Sequence, residues 1–215
     1  MIYLYQFYFN IFVSFFSPIT FPMTEALHLN ISHHILSSQT DIVEFCNLFT
    51  SKTIKKKEFL LREGEVCRFE AFVTKGLFKV YHIDAKGTEQ ILYFGMEDWW
   101  LTDIDSFANQ SPSQLFIEAI EDSEVLIISK KDKDLAYENF PFVEKLFRIM
   151  TQKTHSALQR RMIDNLSKTA DQRYLDFIEK YPSLNQRLTN LQVAAYLGIS
   201  HEFLSKIRRK TTKGK

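Results

Sequence analysis

The sequence predicts an α+β protein with three successive parts: a barrel or roll of short β-strands, a long helix and a C-terminal helix-turn-helix. From Lys52 to about Ser129, short apolar runs alternate with turn residues, a pattern typical of a compact β-barrel. Beyond Lys130, apolar residues recur at helical spacing instead. The length of 215 residues, with 45% hydrophobic and 25% charged residues, suits one large or two small globular domains.

Residues 1–22 differ in composition from the rest of the chain, since they include nine aromatic residues and no charged residue. Their length approaches the roughly 20 apolar residues of a membrane span. However, no Lys or Arg flanks them and no signal-peptide pattern is present. A membrane anchor, a packed N-terminal arm and a start codon placed too early are three open explanations. We favour a start at Met23, in which case nothing in the sequence suggests export or a membrane.

Residues 23–137 are expected to form the barrel domain, which opens with a helical stretch up to Phe49. Within that stretch, Asp41 and Glu44 resemble a capping box at the start of a helix. The turn residues that separate the predicted strands are Glu63-Gly64-Glu65, Lys75-Gly76 and the hairpin loop Asp84-Ala85-Lys86-Gly87.

Residues 138–167 are expected to form one long helix, with Pro141 suited to its first turn. The helical pattern exceeds the usual length of a globular helix, and Lys153 and Arg160 interrupt its apolar stripe. Two interpretations are open: a core helix that lies on the barrel, or a helix that pairs with a second subunit. We favour pairing, because a helix-turn-helix usually reads paired half-sites.

Residues 168–215 are expected to form the helix-turn-helix domain. A helix from Ala170 to Tyr181 ends at Pro182, and a short loop then leads to two short helices. In the two short helices, the small Ala194 permits close approach, Gly198 makes the turn and Ser200 is suited to capping the second helix. The predicted apolar side of the second helix consists of Phe203, Leu204 and Ile207, and its polar side would face the major groove.

The charge distribution supports contact with nucleic acid at this end of the chain. From Arg187 to Lys215 there are seven Lys or Arg residues and one acidic residue, whereas the rest of the chain has 20 basic and 25 acidic residues. The overall formal charge of +1 therefore combines a basic C-terminal part with an acidic remainder. A basic part of this kind is the electrostatic footprint expected for phosphate contact.

Several motifs together resemble the Crp/Fnr family of bacterial transcription regulators over roughly Glu25 to Lys210. The matching residues are Gly64-Glu65, Phe72-Val73, Gly76 and Lys79-Val80 in the early barrel, Asp84-Ala85-Lys86-Gly87 with Glu89 in the next hairpin, and Ala119, Ser123, Val125 and Ile128 near the closing strand. The resemblance implies a jelly-roll barrel (a double-stranded β-helix) of the cyclic-nucleotide-binding type, followed by a long dimerisation helix. It further implies a cytoplasmic homodimer that binds promoter or operator DNA, with a small-molecule effector in the barrel and RNA polymerase as a further partner.

By this resemblance, four residues occupy positions of base contact: His201, Glu202, Ser205 and Lys206. The chemistry agrees, because Glu can accept a hydrogen bond from cytosine N4 and Lys can donate to guanine O6 and N7. Three further residues, Ser200, Arg208 and Arg209, are assigned to phosphate contacts, which orient a protein on DNA without reading its sequence.

Family members that bind cyclic AMP have a Gly-Glu pair and, further on, an Arg-Ser pair. Here Thr102-Asp103 and Ser113-Gln114 stand at those positions, and no arginine occurs between Arg68 and Arg148. An anion would therefore lack a bidentate partner, and we expect no cyclic AMP binding of the usual kind.

The candidate effector-pocket residues are Trp99, Trp100, Asp103, Ser113 and Gln114. The tryptophans are interpreted either as an aromatic wall for an unknown effector or, as we favour, as barrel core. Adjacent residues of a strand point to opposite faces, so only one of the two is expected to face the cavity.

No catalytic residue, metal site or cofactor is predicted. Cys46 and Cys67 are too few and too far apart for an iron–sulfur cluster, and we expect both to be free thiols. Only His82 lies in the barrel segment, which argues against a cupin-type metal enzyme.

The rival hypothesis is a barrel that binds a small molecule but not DNA, and the basic C-terminal part argues against it. Residues 211–215 are too few for the β-hairpin wing common in the family; if the chain ends at Lys215, we expect minor-groove or phosphate contacts to come from the basic tail instead.

Overall fold

The structure, a computed structural model, describes residues 22–213 and the side chains of residues 24–210. The alternative explanations for the apolar N-terminal segment therefore fall outside the described residues. Two helices come first, α1 (Pro22–His34) and α2 (Gln39–Cys46), which confirms the helical prediction for this part of the chain. The predicted capping box is wrong, because Ser38 caps α2 and its hydroxyl accepts a hydrogen bond from the backbone N–H of Asp41.

Eight strands and one short helix form the barrel domain. They are β1 (Thr50–Ile54), β2 (Phe59–Leu61), β3 (Phe69–Lys75), β4 (Phe78–Ile83), β5 (Glu89–Gly95), β6 (Trp100–Leu101), α3 (Ile104–Asn109), β7 (Phe116–Ala119) and β8 (Ser123–Ser129). They make two antiparallel four-stranded sheets with the orders β1-β8-β3-β6 and β2-β7-β4-β5. The two sheets enclose one apolar core, which confirms the predicted jelly-roll architecture.

Two of the predicted turns show why their residues are required. In the hairpin between β4 and β5, a carboxylate oxygen of Asp84 accepts hydrogen bonds from the backbone N–H groups of Lys86 and Thr88, at 2.8 and 3.0 Å. At the crossing from β3 to β4, Gly76 has a φ of +102°, and a Cβ there would lie 2.7 Å from the Cα of Ser123. Only glycine meets both demands at that position.

A helix pair leads away from the barrel. Helix α4 (Lys130–Asn139) is followed by α5 (Pro141–Ser167), which has 27 residues and is therefore about 40 Å long. Its first turns bury four residues against α1, α2 and β3, namely Phe142, Val143, Leu146 and Phe147. Residues 151–160 are all exposed. The long helix is thus packed into the apolar core at its start, whereas its middle turns are open to solvent.

The C-terminal part consists of α6 (Ala170–Lys180), α7 (Pro182–Arg187), α8 (Asn190–Leu197) and α9 (His201–Lys213). Helix α7 stands where a loop was expected, because Pro182 starts a new helix as well as following the previous one. Helices α6 and α8 both begin with a complete capping box, formed by Thr169 with Gln172 and by Thr189 with Gln192.

These helices pack directly on the outer face of the barrel sheet. Ile91 and Phe94 of β5 share one apolar cluster with Phe177 of α6 and Val193 of α8. The ring of Tyr196 lies 5.4 Å from the ring of Phe94 and 5.3 Å from that of Phe177, measured between centroids. Within the residues that the structure describes, no helix is long and apolar enough to cross a bilayer.

Candidate nucleic-acid interface and barrel pocket

Helices α8 and α9 form a compact helix-turn-helix. Gly198 ends α8 in the left-handed conformation, with a φ of +66°, and the backbone N–H of Ile199 returns to the carbonyl of Ala194 at 3.1 Å. Leu204 and Ile207 of α9 are almost completely buried against α8. The start of α9 is fixed by Ser200, whose hydroxyl accepts a hydrogen bond from the backbone N–H of Phe203 at 3.2 Å.

The opposite side of α9 is polar and open to solvent. Of the seven residues assigned to DNA contact, six are exposed and Ser205 is half-buried; the exposed ones are Ser200, His201, Glu202, Lys206, Arg208 and Arg209. Helix α9 therefore presents one charged face and buries the other, as a groove-reading helix requires.

Glu202 is held at the positive end of α9. Hydrogen bonds from its own backbone N–H and from the Ser200 hydroxyl place the pKa of the Glu202 carboxyl below its ordinary value. The side chain is therefore ionised at neutral pH, and only its acceptor function is available to a base.

The arginines near the end of the chain differ in their surroundings. Arg208 donates a hydrogen bond from Nη1 to Oδ1 of Asn190 at the start of α8, and Arg209 donates from Nε to the carbonyl of Ser205 at 3.3 Å. Arg187, which contributes to the basic C-terminal count, is instead bound to Glu97 and Glu121 of the barrel. The charge of Arg187 is therefore used in an ion pair between the C-terminal helices and the barrel. Of the seven basic residues counted from Arg187 to Lys215, Arg187 is not available to DNA.

The predicted apolar side of α9 is wrong for Phe203, which is not buried. Unlike Leu204 and Ile207, it is 42% exposed and lies at the edge of the charged face. The spacing of residues identified the apolar half of the helix, but it did not show how far α8 covers that half.

In the barrel, Asp103 and Ser113 form a closed pair. One carboxylate oxygen of Asp103 accepts a hydrogen bond from the Ser113 hydroxyl at 2.6 Å. The other oxygen accepts from the backbone N–H groups of Asp105 and Ser106 and so caps α3. Both residues are buried, with 6% and 3% of their surface exposed. The carboxylate is thus fully engaged in holding α3.

The remaining three effector-pocket candidates lie elsewhere, so the prediction of one pocket from these five residues is corrected. Trp100 packs among Phe49, Phe72 and Phe147 between the barrel and the helices, and its indole N–H donates to Asn30. Trp99 lines the cleft between the barrel and the C-terminal helices, where its ring meets Tyr181. The side chain of Gln114 is exposed. The five candidates were grouped because of their positions in the sequence, but in the folded chain they have different surroundings.

The barrel residues do not fit the phosphate of a cyclic nucleotide. Ser113 stands where the family's arginine would, and its hydroxyl is already hydrogen-bonded to Asp103 and to the backbone N–H of Leu115. A hydroxyl cannot replace the bidentate, positively charged fork that a phosphate prefers. Among the described residues, no three His, Cys, Asp or Glu side chains are grouped so that they could hold a metal ion.

Comparisons with known proteins agree with this architecture. Residues 51–136 match the family model of the cyclic nucleotide-binding domain. The structure of FixK2 from Bradyrhizobium japonicum is 20% identical, with a TM-score of 0.68 over 77% of this chain and 86% of that one. The c-di-GMP responsive global regulator CLP of Xanthomonas campestris is 11% identical, with a TM-score of 0.70 over 82% and 93%.

A mutant of CooA from Carboxydothermus hydrogenoformans is 16% identical, with a TM-score of 0.63 over 86% of this chain and 84% of that one. No curated protein sequence matches the chain. At these identities the structural matches establish the fold, and the family model identifies the barrel. The chain therefore contains a cyclic nucleotide-binding domain at residues 51–136 and shares the fold of these solved structures.

Proposed function

We propose that the protein is a sequence-specific DNA-binding transcription regulator that acts as a homodimer. The observation that carries this proposal is the charged, exposed face of α9, which stands on a buried helix-turn-helix core. Glu202 and Lys206 supply an acceptor and a donor for base edges, and the arginines nearby supply phosphate contacts.

The long helix supports the homodimer. Its second half carries four exposed apolar residues, namely Leu158, Met162, Ile163 and Leu166. Leu158, Met162 and Leu166 are four residues apart and therefore form one row along the helix. Covering this exposed apolar row with the same row of a second subunit removes it from water and so stabilises a dimer. Two such subunits would place two α9 helices on successive half-sites.

The first experiment is a footprint of the purified chain on the DNA upstream of its own gene, at two salt concentrations. We expect two protected half-sites one or two helical turns apart, with affinity that falls steeply as salt rises. Protein that protects no site at either salt concentration, with or without cell extract, would contradict the proposal.

Single substitutions separate base reading from phosphate contact. Lys206→Ala should relax preference at one base pair, by about 1–3 kcal/mol, whereas Arg209→Ala should weaken binding to all sequences and lower the salt slope by about one. Arg148→Ala is the matched control, because Arg148 is exposed on α5 and far along the chain from α9. Equal effects of all three substitutions would argue against the assigned roles.

The effector is the second part of the proposal. We expect no binding of cyclic AMP in the barrel of the kind that needs a phosphate-binding arginine, since Asp103 and Ser113 satisfy each other. A thermal-shift titration in which micromolar cyclic AMP stabilises the protein would refute this part.

A further inference from the structure

A cleft lies where the three parts of the molecule meet. It is bounded by β5 and Trp99 of the barrel, by α5, and by α6 and α8 of the C-terminal part, and it has a volume of about 180 Å³. Aromatic side chains form much of its wall, including Trp99, Tyr181 and Tyr196. Three arginines also line it, of which Arg160 is exposed and Arg161 and Arg173 are half-buried.

Arg161 holds the cleft together through backbone carbonyls. It donates from Nη2 to the carbonyls of Ile91 and Tyr196, at 2.9 and 2.7 Å, and from Nη1 to the carbonyl of Leu92. Its guanidinium also lies 4.2 Å from the centre of the Tyr196 ring. These partners are all neutral groups.

Arg173 has the same kind of surroundings. It donates to the carbonyls of Lys168 and Leu197, at 3.0 and 3.1 Å. Its Nε is buried and has no hydrogen-bond partner. The guanidinium is thus bound at two points and incompletely satisfied at a third.

The acids of the cleft do not neutralise these arginines. Asp164 and Asp176 both line the cleft, but Lys168 binds their carboxylates at 2.9 and 2.7 Å. Within residues 22–213, neither Arg161 nor Arg173 forms an ion pair with a carboxylate. Two half-buried arginines therefore line one cleft, and neither has a carboxylate within ion-pair distance among the described residues.

This arrangement is unfavourable unless an anion enters the cleft. Burial lowers the pKa of the Arg161 guanidinium, and the positive charge of Arg173 acts in the same direction. A partly buried charge without an opposite partner costs folding free energy, and a bound anion removes that cost.

We propose that this cleft is a binding site for a compact aromatic carboxylate, with the carboxylate between Arg161 and Arg173 and the ring against the aromatic wall. The size supports one ring, because a cavity of about 150 Å³ holds benzene, whereas drug-sized ligands need roughly 300 Å³ or more. The aromatic wall favours a planar apolar body, and the positive charges of Arg161 and of the incompletely satisfied Arg173 favour a carboxylate.

Because of the position of the cleft, binding of the ligand would affect how the parts of the molecule are arranged. A molecule bound there touches the barrel, the long helix and the helix-turn-helix domain at once, and so holds them in this arrangement. This site lies outside the barrel interior, so its use does not depend on the Asp103–Ser113 pair.

The test is a titration of the full chain with benzoate, followed by tryptophan fluorescence, in a buffer without phosphate or carboxylates. Trp99 lines the cleft, so a saturable change is expected, with a dissociation constant on the order of 1 mM or tighter. Benzamide, which has the same shape without the charge, should bind at least about tenfold more weakly. The test involves no DNA, so its failure leaves the DNA-binding proposal standing.

Variants test whether Arg173 holds the carboxylate. Arg173→Met should weaken benzoate binding at least about tenfold, and Arg148→Met, on the exposed side of α5, should leave it unchanged. Circular dichroism establishes that each variant is folded. Arg173→Lys, which keeps the charge but loses the fork, serves if the methionine variant does not fold, and it should weaken binding several-fold. No saturable change up to about 10 mM benzoate, equal binding of benzamide, or binding that survives the Arg173 substitutions would overturn the proposal.

Discussion

Arg187 joins the C-terminal helices to the barrel, and its contribution can be measured directly. Its Nη1 and Nη2 donate to the two carboxylate oxygens of Glu97, at 2.8 and 3.0 Å, and Nη2 also contacts Glu121. Glu97 in turn accepts a hydrogen bond from the backbone N–H of Gly76 at 2.8 Å. The pair therefore couples the end of α7, which precedes the two helices of the helix-turn-helix, to the turn between β3 and β4.

The expected coupling free energy is about 1 kcal/mol. Exposed ion pairs contribute roughly 0.2–1 kcal/mol, and a bidentate arginine lies at the upper end of that range. Arg187 is 26% exposed, but Glu97 and Glu121 are 41% and 40% exposed, so solvent screening limits the gain. In a protein of this size, 1 kcal/mol corresponds to a change of about 2–4 °C in Tm.

A double-mutant cycle with Arg187→Met and Glu97→Gln isolates this coupling in thermal or urea unfolding. Glutamine keeps an acceptor for Gly76, so the cycle reports mainly the ion pair. The control cycle uses Lys55→Met and Asp122→Asn, a barrel pair whose side chains are 67% and 65% exposed, for which coupling near zero is expected. A coupling at Arg187 no larger than that of the control would refute the reasoning.

The same pair gives a pH dependence. Burial acts to raise the pKa of Glu97, but the hydrogen bonds from Arg187 and from backbone N–H groups outweigh it, so the pKa lies below its ordinary value. A carboxyl with a depressed pKa stabilises the folded state above the unfolded pKa of about 4.3 and loses this contribution as pH falls through the folded value. The difference in stability between the parent chain and Glu97→Gln should therefore shrink below about pH 4.

Five further substitutions, two of them as matched comparisons, test the packing. Gly76→Ala should lower the free energy of unfolding by more than about 3 kcal/mol, because its Cβ would overlap the neighbouring strand at a positive φ, whereas Gly64→Ala, which opens onto free space, should cost about 1 kcal/mol in urea unfolding. Leu204→Ala should cost about 2–5 kcal/mol because its side chain is fully buried, and Phe203→Ala under about 1 kcal/mol; equal losses would show that the two residues are equally buried. Asp103→Ala should cost about 1–2 kcal/mol through loss of the cap of α3, and a Tm unchanged by differential scanning fluorimetry would contradict that role.

Much of the architecture follows from local sequence. Glycine at positive φ and a carboxylate that accepts the N–H groups of its own hairpin both act over a few residues, so their patterns predict the turns. The spacing of Ala194, Gly198, Leu204 and Ile207 predicts the helix-turn-helix for the same reason. The position of polar residues on α9 then follows from helical periodicity.

The tertiary structure decides what depends on distant partners. Whether Phe203 is covered depends on how α8 docks, and the partners of Arg187 lie 90 and 66 residues away in sequence. Trp99 and Trp100 are adjacent in sequence but end in different surroundings, because one meets the C-terminal helices and the other meets the helices at the start of the chain. Local interactions act within a few residues and can be inferred from sequence patterns, whereas burial and charge pairing depend on which surfaces meet when the whole chain folds.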